Sequence, residues 1–431
     1  MLPTPSAPNP RAANPSPQPA PSAPRSLWRN RDFVLLWAGQ AVSTAGTQVS
    51  DLAMPLLVLA LTGSPAQAGI VAAFGALPRF LLALPAGVLV DRWDRKRVMI
   101  VCDLARALAL ASIPVAFALG RLTMPQLDIV AFILGAGATL FFLARVSALP
   151  RVVSRTQLPA AVARNEAADS AVTLFGPPLG GGVFALSHAL PFLADALSYA
   201  VSALSLGLIR IPFQAERDPN IAPPRFWPDM LSGLRWLWHA PLVRFMAFVY
   251  AGFALFNGGS SLAVIVLAQR RGASPLAIGL IFAAGGVGGL IGALVAARVN
   301  ARHRFGRVLP ILQWAYPLAF FLYAVAPTPL LMAFIEAGIM LNDQIYDVVW
   351  PSYRMALIPD ALQGRVTSAY RLILSSMLPV GAATGGILVQ RLGPAPALVV
   401  MGLGLAALAL VVSLNPHVRH APPIASFDPG L

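Results

Sequence analysis

The chain has 431 residues, of which 57% are hydrophobic and only 11% are charged. A soluble domain carries about 25% charged residues, so this composition excludes an ordinary soluble protein and indicates a membrane protein. The net charge is +14, but the basic residues fall mostly in alternate loops between apolar runs. This placement predicts an orientation in a membrane and excludes a basic face for nucleic acid.

Residues 1–28 are rich in Pro, Ala and Ser and lack the apolar core of a signal peptide, so they predict a disordered cytoplasmic tail. A first bundle of six helices is predicted over residues 29–209 and a second over residues 241–415. A polar central cytoplasmic loop over residues 210–240 divides them, and a short C-terminal tail covers residues 416–431.

The sequence contains about twelve apolar runs, each long enough to cross about 30 Å of hydrocarbon as a helix. Helices are expected because lipid offers the backbone no hydrogen-bond partners. The predicted spans lie near residues 33–61, 67–90, 98–119, 126–149, 168–187, 190–209, 243–267, 275–297, 308–325, 329–349, 366–388 and 395–414. The fold class is therefore an all-α membrane protein with two six-helix bundles. Arginines concentrate in the loops after even-numbered spans, which places both termini in the cytoplasm.

Three short motifs occur twice, in the same order in each half. GVLV at 87–90 recurs as GALV, and GPPLGG at 176–181 recurs as GAATGG, both 205 positions later. SPAQAG at 64–69 recurs as SPLAIG, 210 positions later. The repeats indicate that the two bundles arose by duplication and are pseudo-symmetric.

The stretch GVLVDRWDRKRVM at 87–99 gathers charge between two apolar runs. It resembles the loop between helices two and three of the major facilitator superfamily. The matching residues include Gly87, Asp91, Arg92, Arg95 and Lys96. The resemblance implies a reversible latch that closes the cytoplasmic side. The alternative is a loop that only sets membrane orientation.

Other segments resemble the drug:H⁺ antiporter branch of that superfamily, which includes macrolide and siderophore exporters. They are DLAR at 103–106, QLPAAVARNEA at 157–167, GPPLGGG at 176–182, DALSY at 195–199 and GRVTSAYR at 364–371. The resemblance implies a monomeric transporter in the inner (plasma) membrane that exports an amphipathic or hydrophobic compound in exchange for protons. Lysophospholipid carriers are similar to this branch too, so transport of a lipid-like solute is the alternative.

The GPPLGGG segment lies in the fifth predicted helix and contains Gly176, Pro177, Gly180 and Gly181. Small residues allow close contact between membrane helices, and the prolines remove backbone donors. The family resemblance associates this segment with exporters. Tight packing without any bearing on transport direction is the alternative.

Charged residues inside the predicted spans are the candidate functional residues. A charge at the centre of a bilayer costs about 2.5–3.5 kcal/mol even on the mildest scale, so such groups are expected to be paired or to face a cavity. Asp51 in the first helix and Arg79 in the second lie at similar depth. They predict either a static ion pair or an ion pair that takes part in transport.

The tenth helix carries an acidic stripe. Glu336, Asp343 and Asp347 are spaced by seven and four residues and therefore share one face. The deeper Glu336 is expected to bind and release a proton during transport. Pairing of the other two acids with Arg354, Arg365 or Arg371 is the alternative.

Two further acids are interpreted as structural. Asp103 and Arg106 lie one helical turn apart and are expected to pair with each other. For Asp195, in the sixth helix, a structural role is expected in preference to a role in proton coupling.

Other classes of function lack their motifs. The sequence has no phosphate-binding G-x-x-x-x-G-K-S/T segment and no HExxH, and its five His are scattered. We therefore expect no catalytic residues, no metal site and no cofactor. The expected partners are a small-molecule substrate, protons and the lipid bilayer, without nucleic acid. A membrane enzyme or a non-transporting receptor is the remaining alternative.

The predicted orientation can be tested by labelling. Cysteines introduced at Asp91 or Arg95, with the lone Cys102 removed, should not react with a thiol reagent that cannot cross the membrane. Reaction from the outside of intact cells, or an odd number of crossings, would contradict the predicted topology.

Overall fold

A computed structural model of the chain describes residues 26–83, 85–214 and 226–421. Most of the predicted N-terminal tail and residues 215–225 of the predicted central loop lie outside this description, as do the side chains of residues 88, 91, 226–230 and 361. The described residues form helices joined by short connections. The helices are α1 (Arg31–Thr62), α2 (Pro65–Leu81), α3 (Pro85–Arg92), α4 (Arg95–Ala118), α5 (Met124–Val152), α6 (Leu158–Leu186), α7 (Leu190–Leu208), α8 (Phe226–His239), α9 (Pro241–Asn257), α10 (Ser260–Arg270), α11 (Pro275–Arg302), α12 (Phe305–Val325), α13 (Pro329–Leu357), α14 (Gln363–Ser376), α15 (Leu378–Leu392), α16 (Pro394–Leu414) and α17 (Pro416–Arg419).

Within the described ranges, nine helices or consecutive helix pairs are long and apolar enough to cross a membrane. They are α1, α4, α5, α7, α9 with α10, α11, α12, α14 with α15, and α16. Of the other predicted spans, α2 has only 17 residues, and α6 and α13 carry several charged side chains. The chain is thus a multi-pass membrane protein, whereas the total of twelve crossings stays a prediction.

Three predicted spans are interrupted where the sequence suggests one continuous helix. The second span divides between α2 and α3, and Pro85 begins α3. The seventh divides between α9 and α10 at Gly258 and Gly259, and the eleventh divides at Met377, just before Pro379. Proline lacks the N–H that would continue a helix, and glycine weakens a helix interior, so these breaks have local causes.

The duplicated Ser-Pro motifs begin equivalent helices. Ser64 caps α2 by accepting a hydrogen bond from the N–H of Gln67 at 3.3 Å, and Pro65 is its first residue. Ser274 caps α11 by accepting from Ala277 at 3.2 Å, and Pro275 is its first residue. Serine is a favoured N-cap and proline a favoured first residue, which explains why this pair of residues recurs.

The helices assemble as two halves. In the first half, α1 packs against α6 and α7, and α4 packs against α5 and α7. In the second half, α11 packs against α13, and α12 packs against α16. The halves meet where α6 contacts α11 and where α2 contacts α15.

The apolar core differs between the two ends of the molecule. We call the end at which α1 leads into α2, predicted to face outside, the outer end, and the opposite one the inner end. At the outer end a single buried cluster includes residues of both halves, such as Leu56, Val71, Val266 and Met332. Towards the inner end each half has its own cluster, around Phe33 and Met99 in the first and around Trp350 in the second. The two halves therefore share a core at the outer end only, among the described residues.

Glycines allow the two halves to touch backbone to backbone at the outer end. A Cβ added at Gly181 would lie 2.1 Å from the carbonyl oxygen of Pro275 on α11. One added at Gly69 would lie 2.8 Å from the Cα of Gly386 on α15. Contacts this close exclude any side chain at these positions.

The duplicated glycine motifs occupy equivalent places. Gly176 and Gly180 approach α1, and Gly181, the next residue, approaches α11 in the other half. In the second copy, Gly381 and Gly385 approach the α9–α10 region, and the following Gly386 approaches α2 in the first half. Each motif therefore packs its own half with one face and joins the two halves with the other.

Gly181→Val tests this contact. The added side chain cannot fit against Pro275, so we expect overpacking to destabilise the closed outer end by about 1–3 kcal/mol. Spin labels at the outer ends of α6 and α11 should move apart, and the thermal unfolding midpoint should fall.

Gly182→Val is the matched control, because a Cβ there has only the Leu276 Cδ1 atom within 4 Å, at 3.7 Å. Equal effects of the two substitutions would show that the outer contact does not depend on Gly181.

Candidate functional site

A cavity of about 190 Å³ lies among α9, α12 and α13. Its wall combines aromatic, amide and acidic side chains. They include Tyr250, Phe253, Asn257, Gln313, Tyr316 and Asp347. Apolar rings with a few polar groups are typical of sites for small organic molecules.

The predicted pair Asp51 and Arg79 lies in the first half, on α1 and α2. Both residues are exposed to solvent although they lie well within α1 and α2. Arg79 acts electrostatically on Asp51 and also on Tyr250, which lines the cavity in the second half. Asp51 and Arg79, both in the first half, do not form a salt bridge with each other in this conformation.

Two acids of the predicted stripe on α13 accept hydrogen bonds from tyrosines on α12. Tyr316 donates to the Oδ1 atom of Asp343, and Tyr323 donates to the Oε2 atom of Glu336. The two acids are seven residues apart, and so are the two tyrosines. Because α12 and α13 follow each other in opposite directions, the equal spacing brings each acid opposite one tyrosine.

The stripe becomes more exposed towards the inner end. Glu336 is only 8% exposed, Asp343 is half-buried and Asp347 is exposed. Glu336 also contacts α11, because a Cβ added at Gly285 would lie 3.1 Å from its Cγ atom. The acids thus extend from a buried position between three helices to the solvent-exposed wall of the cavity.

The arginines proposed as alternative partners do not neutralise these acids here. Neither Asp343 nor Asp347 forms a salt bridge with any residue that the structure describes. Arg354 instead stacks over the ring of Tyr370 at 4.4 Å, and Arg371 is exposed.

A second polar cluster is buried in the first half between α1, α4 and α7. Asp195 is fully buried and accepts hydrogen bonds from the hydroxyls of Ser50 and Ser198. The hydroxyls of Thr47 and Tyr199 lie 2.7 Å apart. This cluster is adjacent in the chain to Asp51, which is exposed.

The expected pair of Asp103 and Arg106 is confirmed as a buried salt bridge. The guanidinium also lies over the ring of Tyr199, 4.1 Å from its centroid, and over Phe141 at 4.9 Å. Arg106 therefore has a partner acid and two aromatic faces, which is the environment that a buried cation requires.

The charged loop between α3 and α4 contacts the first half in this conformation. Asp94 caps α4 by accepting from the N–H of Arg97 at 2.9 Å. Arg95 donates to the carbonyl of Ser147 at 3.2 Å, and Lys96 donates to that of Ile209 at 2.6 Å, at the end of α7. Lys96 thereby neutralises the negative end of a helix dipole.

The remaining residues of the predicted latch are Gly87, Asp91 and Arg92. Arg92 is exposed, a Cβ at Gly87 would meet nothing within 4 Å, and the side chain of Asp91 lies outside the described residues. The predicted latch between the halves therefore stays a prediction.

Sequence reasoning missed the tyrosines. Tyr250, Tyr316 and Tyr323 appear in the sequence as part of the apolar pattern, although each lies beside an acid or an arginine in the structure. The signal that could have found two of them is the matching seven-residue spacing on consecutive helices. Within the described ranges, no group of three or more His, Cys, Asp or Glu side chains could hold a metal ion.

Comparisons with known proteins agree with this architecture. The chain is 27% identical over 402 residues to the multidrug efflux pump Tap of Mycolicibacterium fortuitum, covering 90% of this chain and 95% of that protein. It is also 27% identical over 203 residues to macrolide efflux protein A of Streptococcus pyogenes, covering 47% of this chain and 50% of that protein.

The crystal structure of the nucleoside transporter NupG has the same fold. The match has a TM-score of 0.70 at 16% identity and covers 88% of this chain and 98% of that one. A family model described as transmembrane secretion effector matches residues 22–425. This chain therefore belongs to the transmembrane secretion effector family of the major facilitator superfamily, and it is a membrane transporter, not an enzyme.

Proposed function

We propose that this protein exports a small amphipathic or hydrophobic organic compound, of drug, macrolide or siderophore type, in exchange for protons. One observation carries the proposal: the two halves share a core at the outer end and have separate cores towards the inner end, and the second half contains an acidic, aromatic cavity. The relatives named as multidrug and macrolide efflux proteins support export.

The core arrangement is that of a transporter closed at its outer end. Transport by alternating access requires the outer contacts of α6 with α11 and of α2 with α15 to open while the inner ends close. The outer contacts join glycines and backbone, and no salt bridge connects these helices among the residues that the structure describes. They can separate without leaving a buried ion unpaired.

Substrate and protons have separate places in this proposal. The rings of Tyr250, Phe253 and Tyr316 offer apolar faces to an organic compound. Glu336 and Asp51 are the acids proposed to carry protons. When Glu336 is ionised, the hydroxyl of Tyr323 donates a hydrogen bond to its carboxylate, so the acid retains a partner after its proton leaves.

The proposed function also requires a membrane location and an orientation. We place the protein as a monomer in the inner (plasma) membrane with both termini in the cytoplasm. The outer end of the structure then faces away from the cell, and the cavity takes substrate from the cytoplasm or the inner leaflet.

The double substitution Asp51→Asn with Glu336→Gln tests proton coupling. It removes both proposed proton carriers and keeps their shape, so efflux of ethidium from proteoliposomes driven by a pH gradient should fall roughly tenfold, a typical size for such coupling.

The matched control is Glu166→Gln with Asp360→Asn, because both of these acids are exposed and lie outside the cavity wall. Unchanged gradient-driven efflux in the first variant would overturn proton coupling through Asp51 and Glu336.

Transport of a lysophospholipid is the second candidate, favoured by one observation. Arg79 is an exposed cation near the cavity and can pair with a phosphate. If the substrate is a drug-like cation or macrolide, erythromycin should compete with ethidium efflux and lysophosphatidylcholine should not. Competition by the lysolipid that disappears in Arg79→Gln would favour the lipid.

A further inference from the structure

We propose that Asp195 is a third proton-carrying residue, which exchanges its proton past Ser50 with the exposed Asp51 and the space beside it. The inference rests on the proposed function, since it concerns the coupling of export to protons. It extends the part of that coupling proposed for the first half from the exposed Asp51 to a buried acid of α7.

Asp195 lacks the partner that a permanently ionised acid needs. Its side chain is fully buried. Arg106, the nearby cation, is bound to Asp103 and stacked on Tyr199 and Phe141. A buried carboxylate without a salt bridge is costly, so its neutral form is favoured unless hydrogen bonds compensate.

The hydroxyls around Asp195 have acceptors for their protons in both of its charge states. The Ser50 hydroxyl can donate to Asp195 Oδ2 or to the carbonyl of Thr47, which is 3.1 Å away. The Ser198 hydroxyl can donate to Asp195 Oδ1 at 3.0 Å or to the Asp195 carbonyl at 2.8 Å.

When Asp195 is ionised, both hydroxyls donate to its carboxylate. When a proton is added at Oδ2, Asp195 donates to Ser50, and Ser50 turns its own proton to Thr47. A proton can therefore be gained or lost without moving any heavy atom of the cluster.

Three titratable or charged groups face Asp195 from the helices packed around it. They are Asp51 on α1, Arg106 on α4 and Tyr199 on α7. Of these three, only Asp51 is exposed, and it directly follows Ser50 in α1. The proton lost by Asp195 therefore passes to Asp51 or to water beside it, and a proton returns by the same route.

The position of Asp195 also connects protonation to helix packing. A Cβ added at Gly46 of α1 would lie 2.6 Å from Asp195 Oδ1 and 2.2 Å from Ser198 Oγ. The backbone of α1 is thus in direct contact with the carboxyl group. A change in its charge acts on the contact between α1 and α7, and α1 also carries Asp51 and packs against α6.

Asp195→Asn tests the proposal, because the amide resembles the protonated acid and keeps a donor and an acceptor. Infrared spectra of the purified protein between acidic and alkaline pH should lose one titrating carboxyl band. In proteoliposomes, ethidium flux driven by a pH gradient should fall roughly tenfold, while flux down an ethidium gradient stays close to wild type. Asp360→Asn, which changes an exposed acid just before α14, should alter neither flux.

Two results would overturn the proposal. One is a variant that keeps every titrating carboxyl band and the full response to the pH gradient. The other is an equal loss of both fluxes, which would give Asp195 a structural role.

If Asp195→Asn does not fold, Ser50→Ala is tested in its place. A shifted titration midpoint of the same infrared band then supports the proposal, and an unchanged midpoint overturns it. Absence of proton-driven flux in the wild type would refute the proposed function, whereas the infrared titration would still decide whether Asp195 exchanges a proton.

Discussion

The cost of an ion in hydrocarbon is the constraint on which this structure depends. Each buried charged or acidic group described above has a partner that lowers that cost. Asp103 has Arg106, Glu336 has Tyr323, and Asp195 has Ser50 and Ser198. Asp347, on the cavity wall, and Arg79 lack such a direct partner among the described residues, and both are exposed. The division between paired and exposed groups marks where water reaches the interior of the protein.

The partners are mostly hydroxyls, and this choice of partner has a functional consequence. An arginine holds a neighbouring acid in its ionised form, whereas a hydroxyl can donate to the ion or accept from the neutral acid. The acids bound by tyrosine and serine can therefore change charge without breaking their hydrogen bonds. Asp103, which is paired with Arg106, is structural in this interpretation, and Asp195 and Glu336 are not.

The contacts between the halves follow a different principle. Lipid provides no hydrophobic force between helices, so close van der Waals contact between small residues must hold them. The glycines of α6, α11, α2 and α15 allow that contact at the outer end. Because the interface joins backbone to backbone and, within the described ranges, carries no ion pair, it can open as a unit. The duplicated glycine motifs place such a contact on both sides of the pseudo-symmetric molecule.

The sequence alone determined the membrane class, the helical fold, the division into two related halves and most of the candidate residues. Hydropathy, arginine placement and repeated Ser-Pro and Gly motifs are properties of consecutive residues, so they can be recognised without knowledge of the fold. Tertiary structure decided which groups meet. The pairing of Glu336 with Tyr323 and the shared outer core depend on how the helices pack against one another. Helical periodicity specifies which face a residue occupies, but the neighbour on that face is set only when the helices pack.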